Sequence, residues 1–350
     1  MGGAQGADRG DRRAVPPAWP SCQPAPMRIH IQNPPDDPAF TVTPEMWDEA
    51  VARSGAGGHR VSFAATADGF AAAIGDAEVL VGDKDVLRPL LPAPAPALRA
   101  VFVTNAGVDN LAPFDWLPPG AVLLNNRGTH AAKAGEFGIM AILMLASAIP
   151  AMVTDQREGV WRKRWGHSVA GRRLTILGLG ALGGAVAAHA ARLGMVVTGL
   201  RARPAPHPDC AAVLGAEAID AVLPATDALL LACPLTPATR GVLDRRRIGL
   251  LGRAAGVVNI GRGALLDQEA LCDALDAGLL AGAVLDVFEP EPLPPGHRIW
   301  RTRNLIVSPH TAADDPATYL PRSLDILFDN LRALAAGAPP PNRVDPARGY

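Results

Sequence analysis

LTILGLGALGGAVAAHAARLGMVVTGLRARP, residues 174–204, changes its hydrophobic rhythm twice. LTILGL is a continuous apolar run, as expected of a strand covered on both faces. The alanine-rich stretch after it carries no proline and reads as a helix, and MVVTGL reads as a second buried strand. Between the first strand and the helix stand Gly178, Gly180 and Gly183 in GxGxxG spacing. The spacing alone is a weak signal; the strand before it, the helix opening on it and the strand beyond make it a dinucleotide-binding turn. Gly178 permits the tight turn, Gly180 lets backbone approach a pyrophosphate, and Gly183 lets helix and strand pack closely. The helix start at Ala181 and Leu182 offers unpaired amides to the phosphates.

A site built for NAD places a carboxylate at the end of the second strand, where it accepts from the ribose 2′-hydroxyl. Here that position is Arg201, with Arg203 two residues on and therefore on the same side of an extended segment. Two guanidiniums there suit a 2′-phosphate, through charge-assisted hydrogen bonds. The expected cofactor is NADPH, with NADH as the other possibility.

Outward from this unit the rhythm continues. Strand-like runs recur at DALLLAC (227–233), GVVNIG (256–261), AGAVLDVF (281–288) and NLIVSP (304–309). Such spacing suits βα units of a doubly wound parallel sheet. A first set, RIHIQN (28–33), HRVSFA (59–64), AEVLVG (77–82), LRAVFVT (98–104) and AVLLNN (121–126), reads as a smaller α/β unit. HAAKAGEFGIMAILMLASAI (130–149) reads as a buried helix crossing between the two. After Asp315-Pro316, a helix start, the chain is expected to return to the first unit, with Pro321 as a bend. The expected fold is thus α/β with two Rossmann-like domains: a cofactor domain, 128–310, inserted into a smaller flavodoxin-like substrate domain, 27–127 and 311–350.

Composition narrows the class. The 350 residues carry 33 Lys+Arg against 34 Asp+Glu, a net charge of -1, so no overall field recruits nucleic acid or anionic lipid. WRKRW (161–165) is too short for a nucleic-acid footprint and reads as a surface or subunit-contact segment. The four cysteines, Cys22, Cys210, Cys233 and Cys272, form neither a CxxC nor a metal-ligand spacing, so no metal site and a reducing, cytoplasmic setting are expected. Residues 1–26, rich in Gly, Pro and charge, read as a disordered leader without a secretory pattern, and Met27 is an alternative start. GIMAILMLASAIPAM (138–152) meets Pro150 well short of the ~20 residues of a membrane span, so no membrane partner is expected.

Ligands of an open parallel sheet sit beyond the carboxyl ends of its strands. Three ionisable residues occupy that position after three consecutive runs: Arg262, Glu291 and His310. Neighbouring strands lie ~4.8 Å apart, so their loops share one edge. Each residue alone is unremarkable, as a loop charge, an acidic turn or a satisfied histidine. Together on the cofactor's edge they suggest catalysis.

With these motifs in place, GLGALG, CPLTPATRG (233–241), VVNIGRGALLDQEAL, AGAVLDVFEPEP and IVSPHTA resemble the D-isomer-specific 2-hydroxyacid dehydrogenases, from about Met27 to the end. The IW (299–300) then NLIVSPH order is most similar to their glyoxylate/hydroxypyruvate reductase branch. The resemblance implies that Arg262 binds the substrate's carboxylate and carbonyl, that His310 donates the proton, and that Glu291 pairs with His310. A carboxylate beside an imidazole favours imidazolium, and a fixed guanidinium polarises a carbonyl. The resemblance further implies substrate binding at Ala106, Gly107 and Val108 in TNAGVDNL. It also implies cofactor contacts from Cys233, Pro234, Thr236, Ile260 and Asp286, a small 2-ketoacid substrate, and a homodimer formed through the cofactor domains.

Departures are informative. Arg201 replaces the family's usual acid, which favours NADPH. Gly135 stands where alanine is usual. Glu291, where formate dehydrogenases carry an amide, disfavours that activity, and no regulatory domain is expected after residue 337. Relatives of this fold act as corepressors, so a nucleotide-sensing binding protein with little turnover is the alternative reading.

Overall fold

The computed structural model describes residues 26–108 and 111–346, so the expected leader lies outside the described residues except for Pro26. The first set of apolar runs forms parallel strands β1 (Arg28–Gln32), β2 (Arg60–Ala64), β3 (Val79–Gly82), β4 (Ala100–Val103) and β5 (Val122–Leu124). Their spatial order is β2-β1-β3-β4-β5, the flavodoxin-like order. Helices α1 (Pro44–Ser54), α2 (Ala67–Ile74) and α3 (Lys84–Leu87) belong to this unit. Helix α1 begins where the Thr43 side chain accepts from the amide of Met46, and ends at Gly55, whose φ of 68° a side chain would resist.

The crossing differs from the single expected helix. It is two helices, α4 (Ala131–Ala146) and α5 (Ile149–Arg157), which meet at 68°. Pro150 occupies the first turn of α5, where its missing N–H costs nothing, whereas inside a continuous helix it would break the ladder. A Cβ on Gly138 would sit 2.4 Å from Val186, and one on Gly135 would sit 3.0 Å from His189. The glycine at 135 therefore has a packing reason: α4 lies directly against the helix that carries the glycine turn. No single helix among the described residues is long and apolar enough to cross a membrane.

The second sheet contains β6 (Arg173–Leu177), β7 (Val196–Arg201), β8 (Ala212–Gly215), β9 (Ala228–Leu231), β10 (Gly256–Asn259), β11 (Gly282–Leu285) and β12 (Leu305–Val307). All are parallel, in the order β12-β11-β10-β9-β6-β7-β8. The order reverses between β6 and β9, so a crevice opens there at the carboxyl ends, the usual ligand position of a doubly wound sheet. Helices α6 (Ala181–Arg192), α7 (Ile219–Val222), α8 (Arg245–Ile248) and α9 (Gln268–Asp276) accompany it. Strand β8 was not expected. It is a short edge strand of four residues, two of them exposed, and most of its side chains are small.

Each sheet is covered on both faces. Leu229 and Leu231 face one core and Leu230 the other, an alternation hidden in sequence because both faces are apolar. The last helix, α10 (Pro316–Ala335), capped by Asp315, runs on through Pro321 and returns to the first sheet. There Leu320, Leu324, Leu327, Phe328 and Leu331 are buried with Ile29, Ile31 and Val79, and the Phe328 ring lies 5.0 Å from that of Trp47 on α1.

Candidate active site

The glycine turn joins β6 to α6. Gly178 has a φ of 102°, and a Cβ there would lie 2.6 Å from the backbone of Cys233, so the turn presses against the end of β9. Gly183 is equally constrained: its Cβ would sit 2.0 Å from the carbonyl oxygen of Gly178. Gly180 is different. Nothing of the protein lies within 4 Å of where its Cβ would be. Gly180 is also the N-cap of α6 and supplies no side-chain cap, so the first amides of a 12-residue helix open onto that space. A smooth backbone cradle with uncapped helix amides fits a pyrophosphate, because the macrodipole and the N–H groups both favour an anion. Ala181 and Leu182 form its first turn, half-buried.

At the end of β7, Arg201 is half-buried and Arg203 exposed. Neither is hydrogen-bonded or ion-paired to another side chain among the described residues. Across the switch point, Cys233 is buried, and burial pushes its thiol up to about 12, so it stays a protonated packing residue. Pro234 is exposed. The amide of Thr236 donates to Thr239 Oγ1 at 2.8 Å, which closes a turn along the crevice. Ile260 is buried in the core beneath it.

The three ionisable residues follow β10, β11 and β12, which are neighbours in the sheet. His310 Nδ1 lies 2.6 Å from Glu291 Oε2. The second carboxylate oxygen, Oε1, accepts from the amide of Phe288 at 2.8 Å, so Glu291 is held from both sides. This pairing commits Nδ1 and leaves Nε2 as the ring nitrogen facing outward. His310 has a φ of 57°, a left-handed conformation that costs a non-glycine residue about 1 kcal/mol or more. The surroundings hold it there. Its amide donates to the carbonyl oxygen of Asp286 at 2.8 Å, and Asp286 Oδ1 accepts from Ser308 Oγ at 2.6 Å and from the amides of Thr311 and Ala312 at 3.0 Å. Asp286 is 2% exposed, so its carboxylate sits beneath the histidine turn and organises it.

Arg262 is half-buried on the turn after β10. Fully buried Asn259 shapes that turn, donating to the carbonyl of Arg262 at 2.9 Å and accepting from the amide of Gly261 at 3.1 Å. A Cβ on Gly263 would lie 2.0 Å from the carbonyl carbon of Phe288, so the arginine turn and the Glu291 loop are in direct contact. Sequence reading selected Arg262 but passed over Asn259 and Ser308; a polar residue within a buried run was the available signal for Asn259.

In the first unit, Ala106 and Gly107 are half-buried and Val108 is buried. The amides of Gly107 and Val108 donate no hydrogen bond among the described residues. Asp109 and Asn110, which follow them, lie outside the described residues.

Residues 139–312 match the family model described as D-isomer specific 2-hydroxyacid dehydrogenase, NAD binding domain. A glyoxylate reductase of Korarchaeum cryptofilum is 32% identical over 281 residues, 76% of this chain and 84% of that protein. Glyoxylate/hydroxypyruvate reductase A of Yersinia enterocolitica is 31% identical, over 72% of this chain and 82% of its own length. Among solved structures, a D-isomer specific 2-hydroxyacid dehydrogenase of Xanthobacter autotrophicus Py2 in complex with NADPH and MES superposes with a TM-score of 0.77 at 30% identity, covering 93% of this chain and all of that one. The NADPH-dependent glyoxylate/hydroxypyruvate reductase of Sinorhizobium meliloti, in complex with NADP and sulfate, gives 0.75 at 27% identity with the same coverage. These relatives support an oxidoreductase over a sensor. With two parallel-sheet domains and the glycine turn at the switch point, the chain belongs to the D-isomer specific 2-hydroxyacid dehydrogenase family.

Proposed function

We propose that this chain is an NADPH-dependent reductase of a small 2-ketoacid of the glyoxylate or hydroxypyruvate kind. The observation that carries the reading is the His310–Glu291 pair, preformed at 2.6 Å on the strand edge that also carries Arg262 and the glycine cradle. The cradle and first turn of α6 hold the pyrophosphate, and Arg201 and Arg203 take the 2′-phosphate. When bound, the dihydronicotinamide supplies a hydride to the substrate's carbonyl carbon.

The chain's own residues do the rest. Arg262 binds the 2-ketoacid's carboxylate and carbonyl oxygen and so stabilises the negative charge that develops on that oxygen. The amides of Gly107 and Val108 hold the carboxylate from the first unit. His310 Nε2 gives its proton to the oxygen as the carbon receives the hydride, and Glu291 holds the ring in place through Nδ1. Asp286 positions the histidine turn, Pro234 and Thr236 line the crevice, and Cys233 and Ile260 pack beneath it. The substrate domain comprises 27–127 and 311–350, the cofactor domain 128–310, and the crossings between them are the hinge of a closure that expels water.

The protein is proposed to act in the cytoplasm as a homodimer through its cofactor domains. Exposed Met140, Leu143 and Met152 on α4 and α5 support the dimer, as do Trp161 at 96% and Trp165 at 84% exposure beside them. Arg162 and Arg164 turn back onto Asp155, at 3.3 and 2.7 Å, which leaves WRKRW little charge for nucleic acid.

The deciding experiment is initial-rate absorbance at 340 nm with NADPH or NADH against glyoxylate, hydroxypyruvate and pyruvate. Fast, NADPH-preferring oxidation is expected. Tight NADPH binding without turnover on any of them would overturn the reductase reading in favour of a sensor.

A further inference from the structure

The segment Thr104–Ala106, which leads from β4 into the proposed substrate loop, has three consecutive carbonyl oxygens, and side chains or backbone from elsewhere claim every one. Thr104 O accepts from Asn126 Nδ2 at 2.8 Å and from the hydroxyl of Tyr319. Asn105 O accepts from the amide of Asn126 at 3.0 Å, and Ala106 O accepts from Asn125 Nδ2 at 2.9 Å. The Asn105 side chain is pinned as well, bonding Asp83 Oδ2 and the amide of Lys84, each at 2.8 Å. The acceptors are tied back into the protein, whereas the following amides of Gly107 and Val108 donate no hydrogen bond among the described residues.

The donors reach this segment from two places. Asn125 and Asn126 end the neighbouring strand, β5, and Asn126 is fully buried, its amide nitrogen also bonding Ser323 of α10 at 2.7 Å. Tyr319 comes from the first turns of α10, 215 residues along the chain from Thr104. Its ring lies 5.4 Å from that of His130, and His130 Nδ1 lies 3.0 Å from the carbonyl oxygen of Ala313. Tyr319 therefore touches one crossing between the two units, at His130, and is linked through His130 to the other, at Ala313. Burial pushes its phenol up to about 12, so it remains a hydrogen-bond donor throughout the working range.

We propose that Asn125, Asn126 and Tyr319 are positioning residues: they clamp the carbonyls of the substrate loop so that its amides read the substrate's carboxylate, and they tie that loop to the hinge. Sequence reading assigned none of the three a role. The inference rests on the proposed reduction of 2-ketoacids, with the carboxylate held by Gly107 and Val108.

The test compares pyruvate with pyruvamide, which keeps the reacting carbonyl but lacks the carboxylate. Tyr319→Phe removes only the hydroxyl, and Asn125→Ala removes the donor to Ala106 and the weaker acceptor for the amide of Arg127, so neither variant replaces buried Asn126. Each is expected to lower kcat/KM for pyruvate about tenfold, mainly through KM, the effect of one lost orienting hydrogen bond. Pyruvamide reduction and the KM for NADPH should stay within about twofold, so discrimination between acid and amide narrows by the same factor. Equal losses on both substrates would reduce the three residues to scaffold and overturn the clamp. So would unchanged discrimination in both variants while the wild type discriminates. A wild type that reduces acid and amide equally well would overturn the carboxylate reading itself, and the clamp with it.

Discussion

His310 concentrates the chemistry and the strain of the site in one residue. Its left-handed backbone, the 2.6 Å contact with Glu291 and the three bonds that Asp286 makes beneath its turn all fix the orientation of the ring. Removing the imidazole takes away the proposed proton donor and leaves the cradle untouched. His310→Ala is expected to lower ketoacid reduction on the order of 10²–10⁴-fold, with NADPH binding, followed by fluorescence, retained. Near-normal turnover would contradict the assignment. Arg201 and Arg203 make the complementary case, two cations with no side-chain partner among the described residues at the end of β7. The double variant Arg201→Ala, Arg203→Ala should raise the KM for NADPH about tenfold or more and leave that for NADH nearly unchanged. Equal changes for both cofactors would refute the 2′-phosphate reading.

At the scale of elements, the β6–α6 turn separates glycines needed by the fold from one left open for a ligand. A methyl at Gly183 meets a carbonyl oxygen at 2.0 Å, whereas a methyl at Gly180, where φ is an ordinary −84°, meets nothing of the protein. Gly183→Ala is therefore expected to lower the melting temperature and cofactor affinity together. Gly180→Ala should keep the melting temperature and lose cofactor affinity on the order of tenfold, through contact with the pyrophosphate. Thermal melts with and without NADPH check this; a strongly destabilised Gly180→Ala protein would count against an open cradle. The strand–turn–helix was legible from residues 174–204 because glycine spacing and apolar rhythm are local. The break between α4 and α5 was not, because whether Pro150 ends a helix or starts one depends on what the flanking segments pack against.

Across the whole molecule, a buried carboxylate pins the segment that follows α5 onto that helix. Asp155, on α5, is 3% exposed and is held by Arg164 at 2.7 and 2.9 Å and by Arg162 at 3.3 Å. The hydrogen bonds from Arg164 hold its carboxyl below the usual carboxylate range. A depressed folded-state value stabilises the protein above the unfolded value of about 3.9, and that contribution is lost as the pH falls through the folded value. Asp155→Asn should thus melt below the wild type at pH 7, the gap shrinking as the pH drops below about 4. A gap constant with pH would show that packing rather than charge carries the effect.

The sequence by itself determined the two α/β units, the glycine turn, the arginines in place of an acid, and the three catalytic candidates. All of these are encoded by short-range spacing, by strand periodicity and by the rule that strand ends meet on one edge. Only the tertiary structure decided which polar residues serve them. Asn259 beneath Arg262, Asp286 beneath the His310 turn, and Asn125, Asn126 and Tyr319 around the proposed substrate loop act through bonds to backbone groups, some brought together from as far as 215 residues apart. A side chain that bonds a distant carbonyl leaves no periodic trace, because any chain that brings the donor there satisfies the acceptor equally well.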